Sequence, residues 1–363
     1  MGKRLARAVV AGCLAAALLT ACTEDGGVPA GGPRTGTGAA VGVILTEATT
    51  AARWTKQDPG YFKDAFRGAG VSADIRNAGD DDFEKIADEM ISGGAKVIII
   101  LSPDGAAGKA VITRAHQEKV KVIDYDRLSV GGGADYFVGF DPEEMGRMQA
   151  YGLVKCLGGK TAANPVVAEL NGAPTDSNAA GLVAGHEFVM EPRYANAQYT
   201  MGPSQYVPDW DPAQAEDIFH QMIKQQPGID GVLAADDGIA NAVIGVLRGL
   251  KRNGKVPVTG QNATIDGLHN LLTGDQCMTV YKRIKLEAQT AANIAVQLVK
   301  GIPPAIGGAL RDPESDQQIP FSGLAPLPIT VDEVKDVVAN GFVTAKQLCT
   351  GTYQALCREH GVT

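Results

Sequence analysis

The sequence is poor in the residues and motifs on which most enzymes rely. It has 5 histidines and 2 tryptophans in 363 residues, and its formal net charge is −8. No Gly-x-Ser-x-Gly elbow, His-Glu-x-x-His helix or complete Gly-x4-Gly-Lys-Ser/Thr phosphate loop occurs. An acidic chain also argues against a nucleic-acid partner. These absences favour a binding protein over an enzyme.

The chain also lacks an apolar run long enough to span a membrane. The apolar residues 8–19 follow Lys3, Arg4 and Arg7, but a spanning helix needs about 20 residues. Residues 1–21 are therefore predicted to be a secretory signal peptide. The order Leu-Thr-Ala-Cys ending at Cys22 resembles a bacterial lipobox, which implies a lipid anchor on Cys22. The alternative is an ordinary signal peptide with a cysteine there by chance.

Residues 22–39 are rich in Gly, Pro and Thr and have almost no apolar bulk. Such a segment cannot bury enough surface to fold, so it is predicted to be a flexible tether.

Four cysteines remain beyond the signal peptide and Cys22. Cys349 and Cys357 are close enough in sequence to close a small loop, which would leave Cys156 to pair with Cys277. Export to an oxidising compartment favours disulfides, and the spacing does not resemble a zinc site. Free thiols or another connectivity remain as alternatives.

From Ala40 onward, short apolar runs alternate with amphipathic stretches, which predicts an α/β fold with parallel sheets. A body of about 300 residues usually exceeds one hydrophobic core, so two domains are expected. The predicted strands are Val41 to Leu45, Val97 to Leu101, Val120 to Asp124, Val166 to Leu170, Val232 to Ala235 and Met278 to Tyr281.

Acidic residues are predicted to cap three of the helices. Asp81 and Asp82 precede a helical pattern that begins at Phe83, and this interpretation is preferred over a calcium loop, which would need a glycine turn. Asp141 and Asp211 each precede a proline, the usual residue pair at a helix start.

Planar polar residues and aromatics cluster at or just after the carboxyl ends of the predicted strands. Ligands bind at that edge of open α/β sheets. Carboxylates, amides, Arg and Lys can grip adjacent sugar hydroxyls, and aromatic faces can cover the C–H surfaces of the ring. The set comprises Arg53, Trp54, Asp126, Arg127, Asp176, Asn178, Trp210, Asp236, Asp237, Asn262 and Lys282.

These residues resemble a known family. The chain is similar to the xylose-binding proteins of bacterial ABC transporters, within the ribose- and galactose-binding type of periplasmic binding protein. The stretches that carry the resemblance are Arg53-Trp54, Tyr125-Asp126-Arg127, Phe140-Asp141 followed by Met145-Gly146, Asp176 to Ala179, Trp210, Gly260-Gln261, and Met278-Thr279-Val280-Tyr281-Lys282.

The resemblance implies two Rossmann-like lobes joined by a three-segment hinge near Gly139, Lys282 and Pro326. The N-terminal lobe would comprise 40–139 plus 283–326, the C-terminal lobe 140–282 plus 327–345, and the tail 346–363. The implied sugar contacts in the cleft are Arg53, Trp54, Asp126, Arg127, Asn178, Trp210, Asp236, Asn262 and Lys282.

Two of these positions depart from the family's pattern. Asp236 stands where the xylose binders carry Asn, and Asn262 stands where they carry Asp. The exchange moves the group that can only accept hydrogen bonds to the other position, which puts the identity of the sugar in doubt. The expected ligand is a monosaccharide, with xylose or a related pentose first and a hexose or nucleoside as alternatives.

The expected function is that of a monomeric receptor that delivers the sugar to an ABC permease and its ATPase. It would be exported and held at the outer face of the cell membrane, or in the periplasm, by the lipid on Cys22. No cofactor and no metal are expected. A sensory binding protein for a membrane receptor would share the fold, and export argues against a sugar-responsive repressor.

A sugar-processing enzyme would need a pair of carboxylates. Asp126 and Asp236 are the candidates, but Arg127 and Lys282 nearby are expected to favour the ionised forms of both, which disfavours a general acid.

Overall fold

The structure is a computed structural model that describes residues 38–46, 53–79, 82–158 and 163–362. The predicted signal peptide, Cys22 and nearly all of the predicted tether lie outside these ranges. Within them, no helix combines the length and apolar character that crossing a bilayer requires.

A seven-stranded sheet organises the first part of the chain. Its strand order is β10-β11-β5-β4-β3-β1-β2, and every neighbouring pair is parallel except β10 and β11. The strands are β1 (Val41–Thr46), β2 (Ala73–Ala78), β3 (Val97–Ile100), β4 (Lys121–Tyr125), β5 (Tyr136–Phe140), β10 (Gly308–Arg311) and β11 (Gln318–Leu324). The helices of this part are α1 (Arg53–Lys56), α2 (Asp58–Ala69), α3 (Phe83–Ser92), α4 (Gly105–Gln117) and α10 (Ile284–Val299). We call this part the first lobe.

The second lobe contains a parallel three-stranded sheet, ordered β7-β6-β8, and the antiparallel pair β12-β9. Its strands are β6 (Val166–Asn171), β7 (Thr200–Tyr206), β8 (Ile229–Ala234), β9 (Thr279–Tyr281) and β12 (Leu327–Ile329). Its helices are α5 (Pro142–Leu157), α6 (Ser177–Ala195), α7 (Pro212–Gln225), α8 (Asp237–Gly249), α9 (Ile265–Thr273), α11 (Val334–Ala339), α12 (Ala345–Leu348) and α13 (Tyr353–Glu359).

The chain passes between the lobes three times, with short connections. It leaves the seven-stranded sheet after Phe140, returns between Tyr281 and Ile284, and leaves again between Leu324 and Leu327. These passages fall within a few residues of the three expected hinge positions. The role of these crossings as hinges stays a prediction.

The strands predicted from apolar runs are all present, with ends shifted by one to three residues. β1 and β3 are buried at every residue because helices cover both faces of the sheet. The α/β fold with parallel sheets that the sequence predicted is confirmed.

Two of the three predicted caps are confirmed. The Asp141 carboxylate accepts from the backbone N–H groups of Glu143 and Glu144, and Asp211 accepts from that of Ala213. The prediction for Asp82 is wrong, because its φ of −103° and ψ of −9° are helical and its side chain makes no capping bond. Asp81 lies outside the described residues.

The four cysteines form two disulfides, Cys156–Cys277 and Cys349–Cys357, with the pairing expected from the sequence. The second lies in the C-terminal tail, which packs on α9. Leu348, Cys357 and Val362 join Leu268 and Leu271 in one buried cluster. The His269 ring also stacks on Tyr353, with centroids 3.6 Å apart.

Candidate ligand-binding cleft

A cleft of about 1640 Å³ is lined by residues from both lobes. Its walls come largely from segments that follow β-strands, where the sequence analysis placed a ligand site. Six of the predicted contacts line it: Arg53, Arg127, Trp210, Asp236, Asn262 and Lys282.

The other three predicted contacts lie behind the cleft wall. Trp54 is 3% exposed and belongs to the core of the first lobe, where Arg53 Cζ lies 3.9 Å from its ring centroid. Asp126 and Asn178 are also buried. All three touch residues that line the cleft or hold such residues in place. The structure therefore brings all nine predicted contacts together, although three of them are not exposed to the cleft.

Arg53 is the centre of a buried ionic cluster at the base of the first lobe's wall. Its Nε donates to Asp58 Oδ2 at 3.0 Å and its Nη1 to Asp126 Oδ2 at 3.0 Å. Its Nη2 donates to the Tyr125 hydroxyl at 3.2 Å and to Glu287 Oε2 at 2.6 Å. A guanidinium with this many bonds is held in one orientation.

Asp126 connects this cluster to the second lobe. Its Oδ2 accepts from Lys282 Nζ at 2.9 Å as well as from Arg53, and Asn178 Nδ2 donates to its Oδ1 at 3.3 Å and its carbonyl oxygen at 3.1 Å. Asp126 has a φ of +63°, a left-handed conformation that turns its carboxylate towards these donors.

Burial and neighbouring charge act in opposite directions on the carboxyl groups of the cluster. Burial opposes ionisation of Asp126, but Lys282 and Arg53 outweigh it and hold the pKa well below the usual range. Burial raises the pKa of Asp58 to about 6 and that of Glu287 to about 8, against the attraction of Arg53. Asp126 is therefore the firmly ionised member.

Asp176 joins a cation of the first lobe to an aromatic ring of the second. Arg127 Nε lies 2.9 Å from Asp176 Oδ2 in an ion pair, and Trp210 Nε1 donates to the same oxygen at 3.1 Å. The other oxygen of Asp176 caps α6 by accepting from Asn178 N at 2.9 Å. Both the Arg127 and the Trp210 side chains are thereby positioned at the cleft wall.

The Trp210 ring is also fixed by the backbone around it. Asp209 and Trp210 have φ values of +55° and +56°, two successive left-handed residues that are not glycine. A Cβ on Gly172 would meet the Trp210 ring at 2.2 Å, so glycine at 172 permits the close approach. Strained backbone of this kind is maintained where the surroundings enforce it.

Asp236 and Asp237 have different roles despite being adjacent. Asp236 lines the cleft and caps α8 by accepting from Ile239 N at 2.8 Å. Asp237 faces inward and accepts from Gln276, Thr264 and Thr279. Asp237 is therefore a structural residue.

At Asp236, burial outweighs the attraction of Lys282, although Lys282 does favour the ionised form as expected. Burial raises the pKa of Asp236 to about 7, and the attraction of Lys282 is too weak to offset it. Arg127 forms its ion pair with Asp176 instead.

Asn262 lies at a cleft position fixed by its main chain. Its φ is +96°, and its N–H donates to the Val280 carbonyl at 2.8 Å. Asn is one of the few residues other than glycine that adopt positive φ readily. The side chain is thus presented to the cleft by a turn tied to β9.

Sequence reasoning missed several residues of the site. Asp58 and Glu287 sit within helices, and no local motif marks them as partners of Arg53. Asp104 follows β3 and lines the cleft, a position that the strand-end rule could have found. Phe342 and Val343 of the second lobe and Gln347 of the tail also line the wall, and only the three-dimensional packing reveals this.

The residues that the structure describes contain no group of three His, Cys, Asp or Glu side chains arranged to hold a metal ion. The polar groups of the cleft are instead charged, amide and hydroxyl groups beside one indole ring. Such a surface suits a small polar ligand with many hydroxyl groups.

A comparison with known protein families identifies the family to which this chain belongs. Residues 41–303 match the model of the periplasmic binding protein domain. The chain belongs to the periplasmic binding protein family. Its members are binding proteins, so this chain is a binding protein rather than an enzyme.

Individual relatives are similar over most of their length. The D-xylose-binding periplasmic protein of Escherichia coli K12 is 31% identical over 299 residues, which cover 82% of this chain and 88% of the relative. The multiple sugar-binding periplasmic receptor ChvE of Rhizobium radiobacter is 29% identical over 328 residues, with 84% and 91% covered.

A solved structure is also similar. The carbohydrate transporter solute binding protein of Chloroflexus aurantiacus, in complex with D-glucose, superposes with a TM-score of 0.78 at 25% identity. The match covers 86% of this chain and 98% of the other.

Proposed function

We propose that this protein binds a monosaccharide in the interlobe cleft, with D-xylose as the first candidate, and delivers it to an ABC permease and its ATPase. The observation that carries the proposal is the cleft wall itself, where Arg127, Asp176 and Trp210 meet from two lobes. The similarity to a D-xylose-binding protein and to a D-glucose complex supports the sugar class.

Each part of the wall has a task in this proposal. The indole face of Trp210 covers the apolar C–H surface of the sugar ring. Arg127 and Lys282 donate charge-assisted hydrogen bonds to hydroxyl oxygens, and Asp236 and Asn262 accept from hydroxyl groups. Asp176 keeps Arg127 and Trp210 in register.

Closure of the lobes completes the site in this proposal. The cleft is larger than the 300–1000 Å³ or so that is typical of small-molecule pockets. Rotation about the three short crossings would narrow it around the ligand. The closed shape is then what a permease recognises, because ligand shifts the equilibrium towards it.

The location is part of the same proposal. We propose that the chain is exported and anchored by lipid on Cys22, with residues 22–39 as a tether. Mass spectrometry of the membrane fraction should find the diacylglyceryl group, and Cys22→Ser should release the protein. An unmodified Cys22 in membrane-bound protein would contradict the anchor.

Calorimetry tests the ligand. The purified chain is titrated with D-xylose, D-glucose, D-arabinose and a nucleoside. One monosaccharide should bind, and Arg127→Ala should weaken it by about a hundredfold, since a hydrogen bond to a charged group is worth roughly 1.5–3 kcal/mol. Arg114→Ala, at an exposed surface pair, is the matched control. Binding of the nucleoside alone would refute the sugar class.

A second function is favoured by one comparison, because the ChvE relative is named a receptor. The chain would then present its sugar to a membrane sensor. Deletion of the protein separates the two functions: loss of sugar uptake supports transport, and loss of a sugar-induced response with normal uptake supports sensing.

A further inference from the structure

We propose that Glu287, which does not line the cleft, is a positioning residue for ligand binding and acts on Arg53 as a neutral carboxyl group. The inference rests on the proposed sugar-binding function of the cleft. It adds a residue that neither the family resemblance nor any strand-end motif identified.

Geometry ties Glu287 to the cleft through a single side chain. Glu287 lies on α10 and is fully buried, and its Oε2 is 2.6 Å from Nη2 of Arg53, a residue of the cleft wall. Arg53 is the first residue of α1, a single helical turn, so it depends on side-chain partners for its orientation. Glu287 is one of these side-chain partners, and it lies 234 positions further along the chain.

The charges around Arg53 do not balance if every acid is ionised. Three carboxyl groups, those of Asp58, Asp126 and Glu287, face two cations, Arg53 and Lys282. Tyr125 adds a neutral hydroxyl that donates to Asp58 Oδ2 at 3.3 Å. A buried net charge is costly, so one acid in the cluster should hold a proton.

Among the three acids, Glu287 suits the neutral form best. Glu287 and Asp58 each have one buried oxygen, Oε1 and Oδ1, without a hydrogen-bond partner among the described residues, but the other Glu287 oxygen accepts there from Arg53 alone. Asp126 is fixed as an anion by two cations and an amide. Asp58 accepts from both Arg53 and Tyr125 through one oxygen. The raised pKa of Glu287, about 8, agrees with this assignment.

When Glu287 is neutral, the two negative charges of Asp58 and Asp126 balance the two positive charges of Arg53 and Lys282. The guanidinium then sits in an electrically neutral cluster with fixed geometry. Ionisation of Glu287 would add repulsion with both aspartates and pull Arg53 away from its Asp126 partner. Ligand affinity is therefore expected to decline as pH rises through about 8.

Two substitutions separate this role from simple packing. Glu287→Gln mimics the neutral carboxyl and should bind D-xylose within about threefold of wild type near pH 7, without the decline at high pH. Glu287→Ala should weaken binding by about tenfold or more. Glu84→Gln, on the exposed side of α3, is the control. It should change neither the D-xylose affinity nor the pH dependence of that affinity.

A measurement without ligand keeps the two proposals separate. Difference infrared spectra of wild type and Glu287→Gln should show a protonated-carboxyl band near pH 7 that is lost in the variant. Absence of that band, or equal D-xylose affinity for Glu287→Ala and wild type, overturns the role of Glu287. Absence of any sugar binding by wild type, with the band present, instead overturns the sugar-binding function and with it the positioning role.

Discussion

The two sides of the cleft differ in how their polar groups are satisfied. On the first lobe's side, Arg53 and Asp126 have nearly all their hydrogen-bonding capacity taken by other side chains. On the second lobe's side, Asp236 spends one oxygen on a helix cap, and Asn262 is held by its main chain. The side chains of the first side are therefore held in place before a ligand binds. The second side retains polar groups that can form hydrogen bonds to a ligand and so determine which ligand binds.

The sharpest way to break this comparison is to remove Asp126. Asp126→Ala would leave the buried Lys282 ammonium without its partner and free one N–H of Arg53, so it should destabilise the fold by about 3–5 kcal/mol. Urea unfolding measures the loss. Asp74→Ala, at the partly exposed Asp74–Arg76 pair, should cost only about 1 kcal/mol or less. Equal losses would mean that the cluster is no stronger than a surface pair.

The two tryptophans offer the next test. Trp54→Ala should cost about 3–5 kcal/mol of stability, because Trp54 is a core side chain. Trp210→Ala should weaken sugar binding roughly thirtyfold, about 2 kcal/mol for one buried ring face, with a smaller loss of stability. Calorimetry of both variants measures the sugar affinity, and urea unfolding measures the loss of stability. Normal sugar affinity of the Trp210→Ala variant would show that the indole ring does not contribute to ligand binding.

The pH dependence of stability tests both sides together. Burial raises the pKa of Asp58 to about 6, of Asp236 to about 7 and of Glu287 to about 8, whereas unfolded carboxyls titrate near 4. The folded chain then holds protons that the unfolded chain has released, so stability should fall as pH rises from about 4 to 8. Below about pH 4, stability should also fall, because protonating Asp126 removes its ion pairs.

Thermal unfolding across that pH range should therefore show a maximum in mildly acidic buffer. Asp236→Asn should flatten the decline between about pH 5 and 7. A stability that stays constant between about pH 5 and 8 would show that these carboxyls ionise normally.

The smallest expected effect concerns sugar choice. The double change Asp236→Asn and Asn262→Asp restores the pattern implied by the resemblance to xylose binders. It should alter the ratio of D-xylose to D-glucose affinity by about tenfold while changing stability little, because a mismatched hydroxyl leaves a buried group unpaired. The single variants serve as controls. An unchanged ratio would mean that these positions do not set specificity.

Some features of the fold escaped prediction for local reasons. β2 and β7 carry polar or turn-forming residues such as Asp74, Arg76 and Gly202, because they are edge strands with half-exposed side chains. β5 has the aromatic and β-branched residues of a strand but is only five residues long. The sequence analysis did not predict β5.

The sequence by itself determined the α/β class, the buried strands, the caps at Asp141 and Asp211, and a list of polar residues at strand ends. These properties depend on neighbours within a few positions, so the pattern of the chain reveals them. Only the tertiary structure decided that Trp54 is core and Trp210 is cleft, that Asp237 faces inward, and that Glu287 meets Arg53 across 234 positions of sequence. The burial of these particular side chains and their ion pairs depend on contacts between distant segments, which no local pattern encodes.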